Sequence, residues 1–255
     1  MSLEQQLWPD APERPVLAGG EVHVWRAELN QPEATLRALA RLLSEDESER
    51  AGKFYFPRDR DHYIVARGAL RKILGLYTSV APELLRFTYN EFGKPSLLDV
   101  EHGDALRFNV SHSHGLALYA VAREREVGVD IEFVREDFAG IEIGEHFFSR
   151  REVSALRALP GAAFTKAFFD CWTRKEAYIK ARGEGLSHPL ERFAVSLAPG
   201  EPAALLCTDD DPLEAARWSL VELFPGEGYC AALAVEGERP TLRCWSWTAS
   251  PRLSL

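Results

Sequence analysis

Cysteine, long apolar runs and surplus positive charge are all scarce in this sequence, and each shortage excludes a class of protein. The four cysteines lie at scattered positions without C-x-x-C spacing, so neither a zinc site nor a disulfide framework is indicated. The longest apolar run, Leu116 to Ala122, is too short to cross a bilayer. The first residues also lack the basic-then-apolar order of a secretion signal. We therefore expect a cytoplasmic protein without a membrane partner.

Basic residues are outnumbered by acidic ones, and the formal net charge is −9. Broad nucleic-acid binding needs a surplus of lysine and arginine on one face, so nucleic acid is not an expected partner. The basic residues are nevertheless concentrated in one region: Arg50, Lys53, Arg58, Arg60, Arg67, Arg71 and Lys72. This region could bind a compact anion, although the charge pattern alone favours a solvated helix face.

The predicted elements indicate an α+β protein of two similar halves. Hydrophobic residues make up 46% of the sequence and charged residues 27%, as in ordinary globular proteins. The order strand, helices, strands occurs twice, so we expect an N-terminal half over 21–125 and a C-terminal half over 126–255. Residues 1–20 contain several prolines and end in a glycine pair, which predicts a flexible leader.

A predicted strand from Val127 to Phe133 places two carboxylates on one face. Side chains alternate along a strand, so Gly128, Asp130 and Glu132 point one way and the apolar residues the other. The simplest alternative is a solvent-facing pair on an antiparallel sheet.

A predicted helix from Phe164 to Leu186 presents Trp172, Glu176 and Lys180 at intervals of four residues. Residues at this spacing share a helix face, and a Glu-Lys pair is also a common surface pair. If Glu176 meets the strand carboxylates, three hard oxygen ligands suitable for Mg2+ come together.

A third patch, Phe108 to Gly115, is rich in small hydrogen-bonding residues, and we predict a loop that follows a strand. Hydroxyls, an imidazole and backbone amides could hold phosphate oxygens here. An ordinary hydrophilic turn is the alternative, and two histidines alone are weak evidence for zinc.

Four motifs together resemble the ordered signature of Sfp-type 4'-phosphopantetheinyl transferases. They read GKP at 93–95, FNVSHS at 108–113, GVDIE at 128–132 and WTRKEAYIK at 172–180, with GEGL following at 183–186. The resemblance implies transfer of phosphopantetheine from coenzyme A to a serine of an apo acyl or peptidyl carrier protein, with release of adenosine 3',5'-bisphosphate. It also implies a monomer of two pseudo-twofold-related α+β halves, with the active site at their junction.

The resemblance assigns the catalytic and metal-binding roles. Asp130, Glu132 and Glu176 would hold Mg2+, and Glu176 would also remove the proton of the carrier serine, directly or through a water. Lys180 would neutralise charge on the phosphates, which the reaction requires at the transferring and leaving oxygens.

The resemblance also assigns residues that bind coenzyme A. His112 would contact the phosphates, Ser111 and Lys94 would help to seat the nucleotide end, and Arg60 and Arg67 match basic positions of the family.

Two other functions remain open from the sequence. One is an Mg2+-dependent hydrolase of a nucleotide pyrophosphate that uses the same three carboxylates. The other is a non-catalytic protein that binds coenzyme A or carrier domains. The motifs do not indicate which carrier protein would be modified.

Overall fold

A computed structural model describes residues 7–98, 106–185 and 189–249 of the chain. The helices are α1 Glu33–Ala40, α2 Glu45–Gly52, α3 Pro57–Thr78, α4 Ile141–Phe147, α5 Arg150–Arg157 and α6 Gly161–Arg182. The strands are β1 Glu21–Glu28, β2 Phe87–Tyr89, β3 Pro95–Leu97, β4 Leu106–Ser113, β5 Leu116–Arg123, β6 Val127–Phe133, β7 Phe193–Val195, β8 Leu205–Thr208, β9 Trp218–Leu223, β10 Tyr229–Glu236 and β11 Thr241–Trp247.

Two sheets form the centre of the molecule. The first sheet has the strand order β11-β1-β5-β4 and the second has the order β6-β10-β9. Two-stranded ribbons, β2-β3 and β7-β8, lie outside them. The α+β class and the arrangement in two halves, both predicted from the sequence, are confirmed.

Each sheet is covered on its outer face by one 22-residue helix. Helix α3 packs on the first sheet, where Ala69 and Ile73 share a buried cluster with Tyr119. Helix α6 packs on the second sheet, where Tyr178 shares a cluster with Ala232. These apolar stripes are what fix the helices on their sheets, because burial of apolar area is the main stabilising contribution.

The two sheets bury their inner faces against each other. Alternate residues of β5, such as Leu118 and Ala120, join Val129, Ile131 and Leu233 in a third apolar cluster. Strand β5 therefore has apolar partners on both faces, which explains why it reads as a continuous apolar run. The layers are helix, sheet, sheet and helix.

The last strand returns to the first sheet. Strand β11 pairs in parallel with β1, with Glu21 opposite Thr241 and Ala27 opposite Trp247. Residues of the predicted C-terminal half thus complete the sheet of the N-terminal half.

The part of the predicted leader that the structure describes, residues 7–20, contains no helix or strand but has defined contacts. The Trp8 indole donates a 2.8 Å hydrogen bond to the carbonyl of Phe224, and the Trp8 carbonyl accepts one of 2.8 Å from Ser246. Leu17 is buried. Residues 1–6 lie outside the described residues, and the flexibility of this segment stays a prediction.

Capping signals in the sequence explain where the short helices begin. Ser44 and Glu47 form the capping box of α2, and the Ser44 amide donates to the Glu47 carboxylate over 3.0 Å. Ser149 and Glu152 do the same for α5. None of the helices in the described ranges has the length and apolar character needed to cross a membrane.

Candidate active site

Helix α6 lies directly against strand β6 because residue 128 has no side chain. A Cβ atom at Gly128 would lie 2.1 Å from the carbonyl oxygen of Ala177 and 2.3 Å from the amide nitrogen of Ala181. Only glycine permits two backbones to approach so closely. The contact brings one face of α6 over the side chain of Asp130.

Asp130 and Lys180 form an ion pair where the strand and the helix meet. Lys180 Nζ lies 2.5 Å from Asp130 Oδ1 and also donates to Ser111 Oγ over 3.0 Å. The Ser111 hydroxyl in turn donates to the same Asp130 oxygen over 2.9 Å. Both Asp130 and Ser111 are buried. Three residues from three separate motifs of the sequence therefore meet at one carboxylate.

The prediction of a loop from Phe108 to Gly115 is wrong. Strand β4 continues through Ser113, and only His114 and Gly115 form the turn to β5. The polar residues at alternate positions suggested solvent exposure, but Asn109 and Ser111 are buried, because they face β6 at the edge of the second sheet.

Asn109, Ser111 and Ser113, which we call the polar seam, link the edge strands of the two sheets. The Asn109 side-chain oxygen accepts a 3.0 Å bond from the backbone amide of Val129. Ser113 Oγ donates to Glu132 Oε2 over 3.0 Å and accepts from the Phe133 amide over 3.1 Å. The seam thus contacts β6 at successive positions along its length.

The carboxyl groups of the site repel one another. Burial, followed by the charge of Asp130, raises the pKa of Glu176 to about 7, although Lys180 opposes the shift. Burial and the Asp130 charge also raise the pKa of Glu132. Burial acts to lower the pKa of Lys180, but its ion pair with Asp130 outweighs this effect and the pKa is raised. The site therefore concentrates negative charge that one lysine only partly neutralises.

This donor set fits a magnesium ion. Asp130 Oδ2 is buried without a hydrogen-bond partner, which is costly unless a cation binds there. Within the described ranges, no group of three or more acidic, histidine or cysteine side chains is placed to hold a metal ion by itself. Mg2+ does not require one, because it commonly takes one or two carboxylates and completes its shell with water and phosphate oxygens.

Lys175, which precedes Glu176 in the sequence, anchors the side of α6 that faces away from β6. Lys175 is fully buried, and its Nζ lies 2.8 Å from Glu152 Oε2. It also donates to the carbonyls of Leu190 and Phe193, over 2.8 and 2.5 Å. A buried ammonium whose three hydrogens are all bonded resists rotation of the helix. This anchor keeps Glu176 and Lys180 turned towards β6.

A cavity of about 370 Å³ opens beside the turn that follows β4. Its lining residues are Phe54, Arg58, Asp59, His62, Tyr63, His112, Ser113 and His114. His112 is exposed at the cavity, and the protein atoms around it, followed by the charges of Lys180 and His62, lower the pKa of its imidazole. We call this space the α3–β4 cavity.

Sequence reasoning missed His62, included Arg58 only as one member of the basic region, and preferred Arg60, which lies outside this cavity. Arg58 and His62 are four residues apart on α3 and share a face, whereas Arg60 lies between them on the opposite side. Arg60 pairs with Asp61 over 2.8 Å and lines a separate cleft against α1 and α2. The helical spacing of Arg58 and His62 was the available signal.

Arg67 is held by neighbouring side chains rather than directed into the cavity. Its guanidinium pairs with the buried Glu47, donates to Tyr89 Oη over 2.5 Å and lies 4.2 Å from the centre of the Phe87 ring. Glu47 also binds the buried Arg71 over 2.7 Å. These contacts hold α2, α3 and β2 together.

Lys94 lies at the end of α6 and not beside Ser111. Its ammonium group donates to the Ala181 carbonyl over 2.6 Å and pairs with Glu126 over 2.8 Å. Asn90, at the other end of the same turn, donates to the Gly183 carbonyl over 2.7 Å. The turn between β2 and β3 therefore caps the last carbonyls of α6.

Two family models match the chain. Residues 25–124 match the model described as "4'-phosphopantetheinyl transferase, N-terminal", and residues 126–234 match that of the 4'-phosphopantetheinyl transferase superfamily. Together the two models include all the residues of the polar seam, the Asp130–Lys180 pair and the α3–β4 cavity.

Curated relatives agree with these matches. The chain is 43% identical to the 4'-phosphopantetheinyl transferase HetI of Nostoc sp. (strain PCC 7120) over 91% of this chain and 95% of that protein. It is 32% identical to the 4'-phosphopantetheinyl transferase Sfp of Bacillus subtilis (strain 168), over 61% of this chain and 66% of Sfp. A mouse L-aminoadipate-semialdehyde dehydrogenase-phosphopantetheinyl transferase is 28% identical over 76% of this chain and 67% of its own length. The chain belongs to the 4'-phosphopantetheinyl transferase superfamily.

Proposed function

We propose that this protein transfers the 4'-phosphopantetheine group of coenzyme A to a serine hydroxyl of an apo acyl or peptidyl carrier protein, in an Mg2+-dependent reaction. The observation that carries the proposal is the meeting of Asp130, Lys180 and Ser111 at one carboxylate, with Glu176 one helical turn away. A phosphoryl-transfer site needs such an arrangement of positive charge, metal ligands and a base around one point.

Asp130, Glu132 and Glu176 are the proposed metal ligands. When bound, Mg2+ would neutralise charge on the pyrophosphate of coenzyme A. Two observations support this assignment: Asp130 Oδ2 is buried without a hydrogen-bond partner, and the pKa values of Glu132 and Glu176 are raised. A bound cation would give Asp130 Oδ2 a partner and would stabilise the charged forms of both glutamates.

Lys180 supplies a fixed positive charge for the phosphates. Its ammonium is held by Asp130 and Ser111, so it is positioned before substrate binds. Such preorganised charge is usually the largest single contribution to catalysis. The resemblance also implies that His112 contacts the coenzyme A phosphates and that Ser111 helps to seat the nucleotide end.

The α3–β4 cavity is the proposed site for a phosphate of the nucleotide end. Arg58, His62 and His112 offer cationic or hydrogen-bonding groups from two elements. The contacts of Arg60, Arg67 and Lys94 with coenzyme A, which the resemblance implies, stay predictions.

Glu176 is the proposed base. It takes the proton of the carrier serine, directly or through a water, as the serine oxygen bonds to the β-phosphorus of coenzyme A. The bond from that phosphorus to the bridging oxygen breaks, and adenosine 3',5'-bisphosphate leaves with the electron pair. A carboxylate placed one helical turn from the Asp130–Lys180 ion pair can accept this proton.

Mass spectrometry of a carrier protein tests the proposal directly. The purified protein is incubated with coenzyme A, Mg2+ and an apo carrier, and the carrier is expected to gain the mass of phosphopantetheine at one serine. Consumption of coenzyme A with an unmodified carrier would instead show a hydrolase. Binding of coenzyme A without consumption or modification would show a non-catalytic binder.

A panel of fatty-acid, polyketide and nonribosomal-peptide carriers in the same assay identifies the preferred partner. The monomeric state and the cytoplasmic location expected from the sequence stay predictions, which size-exclusion chromatography with light scattering and cell fractionation can check.

A further inference from the structure

The polar seam contacts both carboxylates of β6 but does not itself supply metal ligands. Ser111 Oγ donates to Asp130 Oδ1 over 2.9 Å, and Ser113 Oγ donates to Glu132 Oε2 over 3.0 Å. Each serine therefore occupies one oxygen of a carboxylate. The other oxygen of Asp130 is left buried without a hydrogen-bond partner.

The seam also fixes the backbone that carries these carboxylates. Asn109 accepts from the Val129 amide, next to Asp130, and Ser113 accepts from the Phe133 amide, next to Glu132. Strands β4 and β6 belong to different sheets. Their relative position at the site is therefore set by side chains of the seam as well as by the apolar layer between the sheets.

Ser113 shows the arrangement most clearly, because both capacities of its hydroxyl are used on β6. The hydroxyl has one hydrogen, which goes to Glu132, and it accepts the amide hydrogen of Phe133. The single side chain of Ser113 therefore holds both the Glu132 carboxylate and the β6 backbone next to it.

We infer that Ser113 is a positioning residue for the metal site, and that it acts by orienting the Glu132 carboxylate from the opposite half of the protein. The inference rests on the proposed metal site. Groups that orient metal ligands typically change metal affinity by about 10–100-fold when they are removed. Metal affinity thus depends on a residue of the N-terminal half that does not touch the metal.

Calorimetric titration of Mn2+, as a stand-in for Mg2+, into the protein saturated with coenzyme A tests the inference without measuring turnover. Ser113→Ala is expected to weaken metal binding about 10-fold. Ser113→Thr, which keeps the hydroxyl on a strand position, is expected to restore most of the affinity. The matched control is Ser219→Ala on β9, whose hydroxyl donates only to the Gly237 carbonyl, and its affinity is expected to equal that of the wild type.

A double-mutant cycle separates an effect through Glu132 from a general loosening of the fold. In a Glu132→Ala background, which removes the acceptor of the Ser113 hydrogen bond, Ser113→Ala is expected to cause little further loss of affinity. An equal loss in both backgrounds, unchanged affinity of Ser113→Ala, or failure of Ser113→Thr to recover would each overturn the inference. Circular dichroism verifies the fold of each variant, and Ser113→Cys replaces Ser113→Ala if the latter does not fold.

The outcomes also separate this inference from the proposed function. Wild-type protein that binds no Mn2+ in the presence of coenzyme A contradicts the metal site itself, and with it the role of Ser113. Wild-type binding with an unaffected Ser113→Ala variant contradicts only the role of Ser113.

Discussion

Gly128 of β6 and Ala177 of α6 approach so closely that a Cβ atom on the glycine would lie 2.1 Å from the alanine carbonyl oxygen. This contact determines the distance of helix α6 from the strand that carries Asp130. The distances from Lys180 to Asp130 and to Ser111 depend on it. The glycine is thus as important to the site as the charged residues beside it.

Replacement of Gly128 by alanine is expected to destabilise the protein by about 3 kcal/mol and to reduce transfer activity strongly, since the backbone of α6 must move away. Urea denaturation and the carrier assay measure the two effects. Gly161→Ala, at the first residue of the same helix and with open space around it, is the control and is expected to retain stability and activity. Equal behaviour of the two variants would contradict the role of the contact.

The pH dependence of stability reports on Glu176. Its pKa is raised from 4.5 to about 7 in the folded protein without metal. Between these pH values the folded state holds a proton that the unfolded chain has released, so stability falls as the pH rises through this window. Glu176→Gln is therefore expected to be more stable than the wild type at about pH 8, by about 3 kcal/mol at most, and to gain little at about pH 5.

Urea denaturation at both pH values, with a chelator present, checks this expectation. The same variant is expected to lose transfer activity while it retains most of its affinity for coenzyme A. Near-normal turnover would exclude Glu176 as the base.

Loss of the Lys180 charge is expected to slow transfer by about 100-fold or more, the usual effect of removing one preorganised charge or donor. Lys180→Met should also shift the pH–rate profile to higher pH, because the ammonium of Lys180 lowers the pKa of Glu176. Steady-state kinetics across pH measure both effects. The control is Lys166→Met on the same helix, where the side chain is 56% exposed and pairs with Asp170 and Glu222; an equally slow control would argue against a specific role of Lys180.

Arg58 and Arg60 distinguish the two sides of α3. Arg58→Ala is expected to weaken coenzyme A binding about 10-fold, since a hydrogen bond to a charged group contributes about 1.5–3 kcal/mol. Arg60→Ala is expected to have the smaller effect, because Arg60 pairs with Asp61 outside the α3–β4 cavity. Calorimetric titration with coenzyme A measures both, and the reverse order would favour the position that the family resemblance suggested.

Strand β6 and helix α6 could be predicted from the sequence because each has a strong local pattern. Alternation placed Gly128 and Asp130 on one face of β6, and the spacing of Glu176 and Lys180 placed both on one face of α6. The meeting of these two faces is a tertiary contact, and only the resemblance to a known family suggested it.

The polar seam and helix α3 show where sequence reasoning was insufficient. Asn109, Ser111 and Ser113 are small and polar, so local reasoning predicted a loop, whereas they lie on a strand and their partners come from a strand of the other sheet. Propensity and polarity describe a residue's preference for water, and they do not show a buried partner that is distant in sequence. On α3 the error was smaller, because the face shared by Arg58 and His62 was readable from their spacing.

The pairing of β11 with β1 has a consequence for how this protein folds during its synthesis. Most of the sequence separates Glu21 from its partner Thr241, so β1 lacks a partner on one side until β11 emerges from the ribosome. An exposed edge is a template for pairing with other chains. Pairing between segments so distant in sequence is slow compared with the formation of the helices.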